Sequence, residues 1–457
     1  MTEEKKYKYL ILTFGCQMNK SDSERLAFVL ENMGMEKTED ERDADVIILN
    51  TCSVRESAEA RIYGKTFNLS KLKKIKPDLI VGVTGCMAGR DKDGEIKKRL
   101  KEVDLFFPTK DMTRLPAKLL ELNPNLRPMN NTEEDYLKLR PNYQKAHQAF
   151  IVIQTGCNQF CSYCVVPYAR GLKTDRPVKD ILDEINNVVK KGCLEITLLG
   201  QIVNHYTAPD PENFSVGNPY KKNDFAKLLW EINQIDGVKR LDWPAPHPLY
   251  FDEELLDALT LPKQLNYVHL PVQSGNNEIL QKMNRRHTRE YYIGLVKKIR
   301  EKRPEIAIGT DIIVGFCGET EEQFQDTVDL YKQCQFDISY HARYSPRSGT
   351  VAEKMFEDTV SREEKRRRWQ VLQDMMEEIT REKNKKYLDK TLSVLVDDFT
   401  NGWCVGNSQE MKRVTFEPVL SEQGEPNGGG ENLVGTIQNV KIFKTDNWMM
   451  WARIIKT

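Results

Sequence analysis

Long apolar runs are missing from this 457-residue chain. The longest apolar stretches, such as 46–49 and 151–153, fall far short of the roughly 20 residues that cross a bilayer, so no membrane contact is expected. Net charge is missing too: Lys and Arg total 68 and Asp and Glu total 68, so bulk electrostatics select no polyanionic partner. Any nucleic-acid contact must then use a local basic surface. The first residues, Met1-Thr-Glu-Glu-Lys-Lys6, carry charge with no apolar segment behind them, which does not read as a secretory signal and predicts a cytoplasmic protein. Histidine is scarce, and His147, His205, His247, His269, His287 and His341 show no metal-binding spacing. Cysteine, by contrast, is present ten times. Without an export signal these are expected to be mostly reduced thiols, so metal or redox chemistry is a better reading than a disulfide framework. At roughly 100–200 residues per domain, the length predicts two to four domains.

Three cysteines lie together in Thr155-Gly-Cys157-Asn-Gln-Phe-Cys161-Ser-Tyr-Cys164, a C-x3-C-x2-C spacing. Thiolates three and four residues apart on one short loop can converge on adjacent corners of a cubane, and iron–sulfur clusters are held by cysteine thiolates. Three ligands leave one iron without a protein donor. The amino and carboxylate groups of S-adenosylmethionine (SAM) can chelate that iron, and one electron can then cleave the sulfonium bond to give a deoxyadenosyl radical. A zinc knuckle is the alternative, although structural zinc usually takes four ligands in paired C-x2-C arrangements. The spacing resembles the motif of the radical SAM superfamily.

A second trio is dispersed at nearly equal intervals: Cys16 in Thr13-Phe-Gly-Cys-Gln-Met-Asn19, Cys52 in Asn50-Thr-Cys-Ser-Val-Arg55, and Cys86 in Thr84-Gly-Cys-Met-Ala88. Each follows a short apolar run, 9–14, 46–49 and 79–83, with helical patterns between them such as 22–33, where Gly34 suits the C′ position. That alternation predicts a βαβαβ unit. With parallel neighbouring strands, all three cysteines lie at the carboxyl ends, where open α/β sheets bind ligands. Taken alone, the trio also fits three ordinary buried thiols. Cys193, Cys317, Cys334 and Cys404 show no ligand spacing and read as packing residues.

The N-terminal pattern continues with a helix at 94–101, a strand at 103–107 and a helix at 112–122, and 123–140 mixes Pro, Asn and acidic residues without periodicity. Six strands are then expected at 150–154, 195–199, 239–243, 267–270, 306–314 and 336–341, alternating with helices as in an open (β/α)6 barrel with its chemistry in the loops after the strands. Residues 361–386 read as a long exposed helix whose Lys365-Arg-Arg-Arg368 run either meets phosphates or forms a solvated face balanced by Glu363, Glu364, Glu377 and Glu378. Short strands at 392–396, 413–416, 433–442 and 448–455, with the turn Asn427-Gly-Gly-Gly430, suggest a small β-barrel. The expected class is α/β: an open parallel sheet at 6–122, a linker at 123–145, a partial barrel with its terminal helix at 146–380 and an OB-like β-barrel at 381–457.

With both trios placed, nearly the whole chain resembles the methylthiotransferase family. Further motifs carry the resemblance: Val165-Val-Pro-Tyr-Ala-Arg-Gly171, Leu198-Leu-Gly-Gln201, His269-Leu-Pro-Val-Gln-Ser-Gly275, Arg286-His-Thr-Arg-Glu290, Gly315-Phe-Cys-Gly-Glu-Thr320 and Tyr344-Ser-Pro-Arg-Ser-Gly-Thr350. The resemblance implies an N-terminal methylthiotransferase domain, a radical SAM domain and a C-terminal TRAM domain. It implies two [4Fe–4S] clusters, one on Cys157, Cys161 and Cys164 and an auxiliary one on Cys16, Cys52 and Cys86, with two SAM molecules used per turnover. A radical suits the reaction because an aromatic C–H is not acidic enough for a side-chain base, so the cofactor must carry the chemistry.

The residues beside the dispersed cysteines, Gly-Cys-Gln-Met-Asn19, Cys52-Ser-Val-Arg-Glu56 and Gly-Cys-Met-Ala88, look like the branch acting on N6-isopentenyladenosine next to the tRNA anticodon. Sibling branches act on threonylcarbamoyladenosine or on an aspartate of a ribosomal protein. A non-catalytic metal-binding RNA module is the reading from a different class. Phe14, Phe160, Tyr163 and Tyr168 can stack on a splayed loop base or shield the clusters. Gln201, Gln273, Ser274, Arg285 and Asp311 are candidate SAM or substrate contacts. The chain departs from the family pattern at Ile202 and His205, at Trp243-Pro-Ala-Pro-His-Pro248 and at Cys317, all in the expected barrel mouth. The resemblance also implies a flavodoxin- or ferredoxin-like electron donor and a monomer, and leaves the sulfur source open.

Overall fold

A computed structural model describes residues 6–53, 56–100, 102–129, 135–418 and 430–455, with no side-chain description for 56–58. Met1–Lys5, Val54, Arg55, part of the expected linker (130–134) and Asn427–Gly429 of the expected turn therefore lie outside the described residues.

The N-terminal part comprises β1 (Lys8–Phe14), α1 (Gln17–Asn32), β2 (Glu36–Lys37), β3 (Val46–Thr51), α2 (Glu56–Ile75), β4 (Ile80–Gly85), α3 (Cys86–Arg90), α4 (Glu95–Arg99), β5 (Leu105–Phe106) and α5 (Leu115–Leu122). Its strands form one sheet in the order β2-β1-β3-β4-β5, parallel throughout. β3 and β4 are buried on both faces, which is why they are continuous apolar runs rather than alternating ones. α1 begins five residues before the predicted helix, because its polar first turn lacks apolar periodicity and is organised by capping at Cys16. Gly34 follows its end with φ 78°, as the C′ reading requires.

The central part comprises β6 (Gln148–Val152), β7 (Gln154–Thr155), α6 (Val166–Arg170), β8 (Thr174–Asp175), α7 (Val178–Val189), β9 (Glu195–Leu199), α8 (Asp224–Asn233), β10 (Arg240–Asp242), α9 (Glu253–Ala258), β11 (Tyr267–His269), α10 (Asn277–Lys282), α11 (Arg289–Lys302), β12 (Ala307–Val314), α12 (Glu321–Cys334), β13 (Ile338–Arg343), α13 (Val351–Met355) and α14 (Arg362–Lys385). The parallel sheets β10-β9-β6 and β11-β12-β13 are joined where Leu241 pairs with Gln264. This is the expected partial (β/α)6 barrel. Asn223, Asp252, Asn276, Thr288, Thr320 and Ser361 each cap the helix that follows by accepting a backbone N–H.

Along the barrel strands, Ile196, Leu198, Leu241, Val268, Leu270, Ile308 and Ile312 pack in one core with the outer helices. The period of two therefore turns Glu195, Arg240, Asp242, His269 and Asp311 into the lumen. The N-terminal core continues into this barrel: Met18 and Leu26 of α1 share a cluster with Val152 and Leu199. The segment read as a linker is pinned to the same cluster by Leu126, Tyr136, Leu137 and Leu139. Four buried apolar side chains, spaced without a regular period, hold it down where the sequence pattern indicates only polar coil.

The Lys365–Arg368 run is a solvated face only in part: Arg366 and Arg367 are exposed, and Glu364 balances Arg367 and Arg368 as expected. Lys365 and Arg368 are buried, paired with Asp358 at 2.6 Å and Glu319 at 2.8 Å, and Arg367 is bound by Glu364 and Glu321. Asp358 and Glu319, from outside the helix, thus consume Lys365 and Arg368.

β14 (Thr391–Thr400), β15 (Trp403–Ser408), β16 (Arg413–Glu417), β17 (Ile437–Thr445) and β18 (Met450–Ile454) close into a barrel in the order β14-β15-β16-β18-β17. β15 was not expected from the sequence, since Gly406 and Asn407 interrupt its β pattern. Gly406 is required there because a Cβ would strike the Leu395 backbone of the paired strand. Leu433, expected to start a strand, ends a 3-10 turn at Gly430–Leu433 instead, and β17 begins only at Ile437. Among the described residues no helix is long and apolar enough to cross a membrane.

A buried ion pair fastens the two barrels together. Arg240 is fully buried, donates to Glu195 at 2.6 Å and reaches the Ser408 carbonyl of β15 at 3.0 Å. Removing one partner of a buried pair costs about 3–5 kcal/mol, because the other charge is left unpaired. Arg240→Met is expected to lower the thermal denaturation midpoint sharply, whereas a parent-like midpoint would show that the pair does not hold the junction.

Candidate functional site

The dispersed cysteines are brought together by strand register. Phe14 pairs with Thr51 and Thr51 with Gly85, so β1, β3 and β4 end level with one another. Cys52 N–H donates to the Phe14 carbonyl at 2.8 Å. Cys16 caps α1, with Asn19 Oδ1 accepting from its backbone N–H at 3.2 Å. Asn19 and Asn50 then lock the first turn of α1 to the end of β3: Asn50 Nδ2 donates to the Asn19 carbonyl at 2.7 Å and to Ser23 Oγ at 2.9 Å. Gly85 has φ 95°, and a Cβ there would strike Thr51 and Asn50, so glycine permits the close approach that starts α3 at Cys86.

The compact trio occupies the loop between β7 and α6. Gly156, with φ 74°, is required because a Cβ would collide with the Leu172 carbonyl. Cys157 N–H donates to Gly171 O at 3.1 Å, and Cys164 N–H to Cys161 O at 2.9 Å. The segment after α10 pins the loop from outside. Asn284 Nδ2 donates to the carbonyls of Gln159 and Phe160 at 3.0 Å each, and Ser162 Oγ donates to Lys282 O at 2.7 Å.

The dispersed trio approaches the compact one through Cys86, which lies near Cys164. Burial raises the Cys164 thiol to about 12, with Cys161, Cys157 and Cys86 adding to the effect, and burial likewise raises Cys86, whose neighbours include Cys16. Metal-free, these buried thiols hold their protons; an iron centre would take them as thiolates. Two buried guanidiniums adjoin them. Arg285 Nη1 lies 3.8 Å from Cys161 Sγ and its Nε has no partner, while Arg170 Nε lies 3.3 Å from Cys86 Sγ. A cluster carrying three thiolates is anionic, so buried positive charge beside each trio fits the group, without a carboxylate partner at Arg285 and paired with Asp22 at Arg170. No three His, Cys, Asp or Glu side chains among the described residues are spaced to grip a single metal ion. A cubane sets its thiolates farther apart, each on a different iron.

The other sequence candidates have distinct placements. Arg285 adjoins the compact trio, as above. Gln273, with φ 75°, bridges to β12, its N–H donating to the Asp311 carbonyl at 2.9 Å. Asp311 faces the lumen with its side chain 41% exposed and meets His269 Nε2 at 3.1 Å. Ser274 is buried, and its hydroxyl accepts from Asn276 N–H at 3.2 Å, which shapes the turn before α10. Gln201 lies just beyond β9, at the mouth.

The segments that depart from the family pattern bind one another. Asn204 exchanges two hydrogen bonds with the His247 backbone, at 3.0 and 2.8 Å. His205 stacks on Tyr250 with ring centroids 4.0 Å apart, and Gln159 of the cysteine loop donates to the Tyr250 hydroxyl. Ile202 and Cys317 are buried, and Trp243 Nε1 donates to Gln264 at 2.7 Å. Burial and the neighbouring Arg285 push His247 down to about 2 and His287 down to about 3, so both imidazoles are neutral. Tyr163 packs beside Phe316 and Cys317, and Phe160 stands half-exposed at the mouth against Tyr168. Sequence reasoning missed Arg170, Asn50, Asn284 and the His269–Asp311 pair. Arg170, Asn50 and His269 stand inside the Val165–Gly171, Asn50–Arg55 and His269–Gly275 motifs, whereas Asn284 carries no signal.

Comparison with known proteins agrees with this geometry. A family model described as Uncharacterized protein family UPF0004 matches residues 8–108, and one described as Radical SAM superfamily matches 151–331. The structure of the radical S-adenosylmethionine methyltransferase TsrM from Kitasatospora setae, with cobalamin and a [4Fe–4S] cluster bound, superposes with TM-score 0.53 at 16% identity, covering 76% of this chain and 74% of that one. The fold is that of a radical SAM enzyme. Two relatives span nearly the full length: the tRNA-2-methylthio-N(6)-dimethylallyladenosine synthases of Alkaliphilus oremlandii, 39% identical over 99% of this chain and 93% of that protein, and of Caldicellulosiruptor saccharolyticus, 42% identical over 98% and 92%. The chain belongs to the tRNA-2-methylthio-N(6)-dimethylallyladenosine synthase family.

Asp242 in the lumen generates a pH prediction. Burial, with Glu195 alongside, raises it from 3.8 to about 7. The folded chain then binds a proton that the unfolded chain releases between those values, so stability falls as pH rises through that window. Asp242→Asn removes the penalty, at about 1.4 kcal/mol per pKa unit. The variant is expected to melt above the parent at pH 8 and to converge with it near pH 4, as read by thermal denaturation; equal melting at both pH values would refute the assignment.

Proposed function

We propose that this enzyme adds a methylthio group to C2 of N6-isopentenyladenosine beside the tRNA anticodon, using two SAM molecules per turnover. The observation that carries the reading is the placing of Cys16, Cys52 and Cys86 at level strand ends, with Cys86 next to the part that holds the compact trio, in a chain whose relatives named for this activity match it over nearly its full length. Cys157, Cys161 and Cys164 hold one [4Fe–4S] cluster, and Cys16, Cys52 and Cys86 hold the auxiliary one. Bound there, the cluster on Cys157, Cys161 and Cys164 would supply the one-electron reduction of SAM, and the cluster on Cys16, Cys52 and Cys86 would supply the sulfur-insertion chemistry.

The chain's own residues bind, orient and exclude. Asn284 and Ser162 fix the cysteine loop, and Arg285 places positive charge against it. Asp311, held by His269, presents a carboxylate to the lumen, where Gln201 and Gln273 stand at the rim. Phe160 offers an exposed aromatic face to a splayed base. Residues 6–122, 146–380 and 381–457 act as methylthiotransferase, radical SAM and TRAM units. The enzyme works as a cytoplasmic monomer with a flavodoxin- or ferredoxin-like reductant.

The test is iron and labile sulfide per chain after anaerobic reconstitution, followed by assay on isopentenylated tRNA. The parent is expected to hold about eight irons and the Cys157/Cys161/Cys164→Ala variant about four, because each cluster needs its own cysteine set. The parent forms methylthiolated adenosine and the variant none. About four irons falling to none, or SAM cleavage without methylthiolated product on this tRNA, would overturn the reading. Product on threonylcarbamoylated tRNA or a ribosomal protein instead would reassign the substrate, and zinc in place of iron would indicate a non-catalytic RNA module.

A further inference from the structure

Helices α3 and α6 carry the two sites toward each other: α3 begins at Cys86, and α6 begins two residues after Cys164. They touch at Gly89, where a Cβ would collide with the Ala169 carbonyl, so glycine sets the closest approach of the two helices. The next residue of α6 is Arg170. Its Nε is 3.3 Å from Cys86 Sγ on the opposite side of that contact, and its Nη2 donates to Asp22 Oδ2 at 2.5 Å. The Arg170 and Asp22 side chains are 2% and 1% exposed. Asp22, on α1, also accepts from the Tyr136 hydroxyl, so the guanidinium is held from behind by a residue of the cysteine-bearing N-terminal part.

We propose that Arg170 is a positioning residue that reaches from the radical SAM part to the auxiliary site, donating a charge-assisted hydrogen bond to the Cys86 sulfur and thereby setting the auxiliary cluster's reduction potential. The inference rests on the proposed function, in that it requires a cluster on Cys16, Cys52 and Cys86. The physical reason is direct. A cationic N–H donor draws electron density from a ligating thiolate and stabilises the more negative, reduced cluster, so outer-shell donors to sulfur raise the potential. The planar fork suits the task, since one edge meets the sulfur while the other is fixed by the carboxylate. The donor comes from the part that binds the compact cluster, so the auxiliary potential becomes dependent on the docking of the two parts.

Arg170→Met combined with Asp22→Asn removes the donor without stranding the buried carboxylate. It is made in the full chain carrying Cys157/Cys161/Cys164→Ala, so that only the auxiliary cluster is present, and is followed by spectroscopically monitored redox titration. The expected result is about four irons retained and a lower auxiliary potential, changing the reduced-to-oxidised ratio at fixed poise by about tenfold, or about 59 mV for one electron. In a companion chain carrying Cys16/Cys52/Cys86→Ala, the same pair of changes is expected to leave the remaining cluster's potential in place. An unchanged auxiliary potential, or equal shifts in both clusters, overturns the proposal. Where the double variant loses iron, Arg170→Lys decides: an ammonium cannot serve sulfur and carboxylate through one planar fork, so a smaller downward shift is expected, and a parent-like potential overturns the proposal. A parent that holds about four irons, lost entirely with the compact trio, defeats the underlying two-cluster reading instead.

Discussion

The level ending of three neighbouring parallel strands is the constraint on which the rest depends. Parallel pairing with Phe14 opposite Thr51 and Thr51 opposite Gly85 leaves the chain at one edge of the sheet three times, each time just before a cysteine. A one-residue slip in a parallel ladder would turn every side chain of the shifted strand to the other face, and β3 and β4 are packed on both faces against such a slip. The Asn19–Asn50 hydrogen bonds hold the same alignment from the first turn of α1, which the ladder does not include.

Around the thiols, the chain keeps charge where a soluble protein usually avoids it. Arg170 and Arg285 are buried, and only Arg170 has a carboxylate partner among its hydrogen bonds. An unpaired buried guanidinium is costly unless an anion meets it. The arrangement makes sense around groups whose charge changes with their redox state and whose surroundings exclude water. The lumen shows the same economy of placement: His269 is held between Tyr267 and Asp311, and Asp242 keeps its proton near neutral pH.

The docking of the parts is built from side chains that local pattern does not advertise. Leu126, Tyr136, Leu137 and Leu139 bind the connecting segment into the N-terminal core, and α1 shares that core with β6 and β9 of the barrel. The C-terminal barrel is tied through Arg240 to Ser408 and through Lys412 to the Asp337 carbonyl. These contacts join residues far apart in the chain, so no window of sequence contains both partners.

Residue type and spacing determined the parallel βαβ units and the partial barrel and singled out the six cysteines as candidates, because each is written in a short-range signal: a loop spacing, an apolar run or a helical period. They also placed Gly34 and the order of the parts. Strand β15 escaped because Gly406 serves a neighbour's backbone rather than its own strand pattern. The paired state of Lys365 and Arg368 escaped because their partners Asp358 and Glu319 act from outside their helix. Only the tertiary structure brought Cys86 near Cys164 and set Arg170 against Cys86. The sequence alone settles what each element is, through interactions within a few residues. Which charged group meets which sulfur depends on the packing of elements whose contact residues are unrelated in sequence.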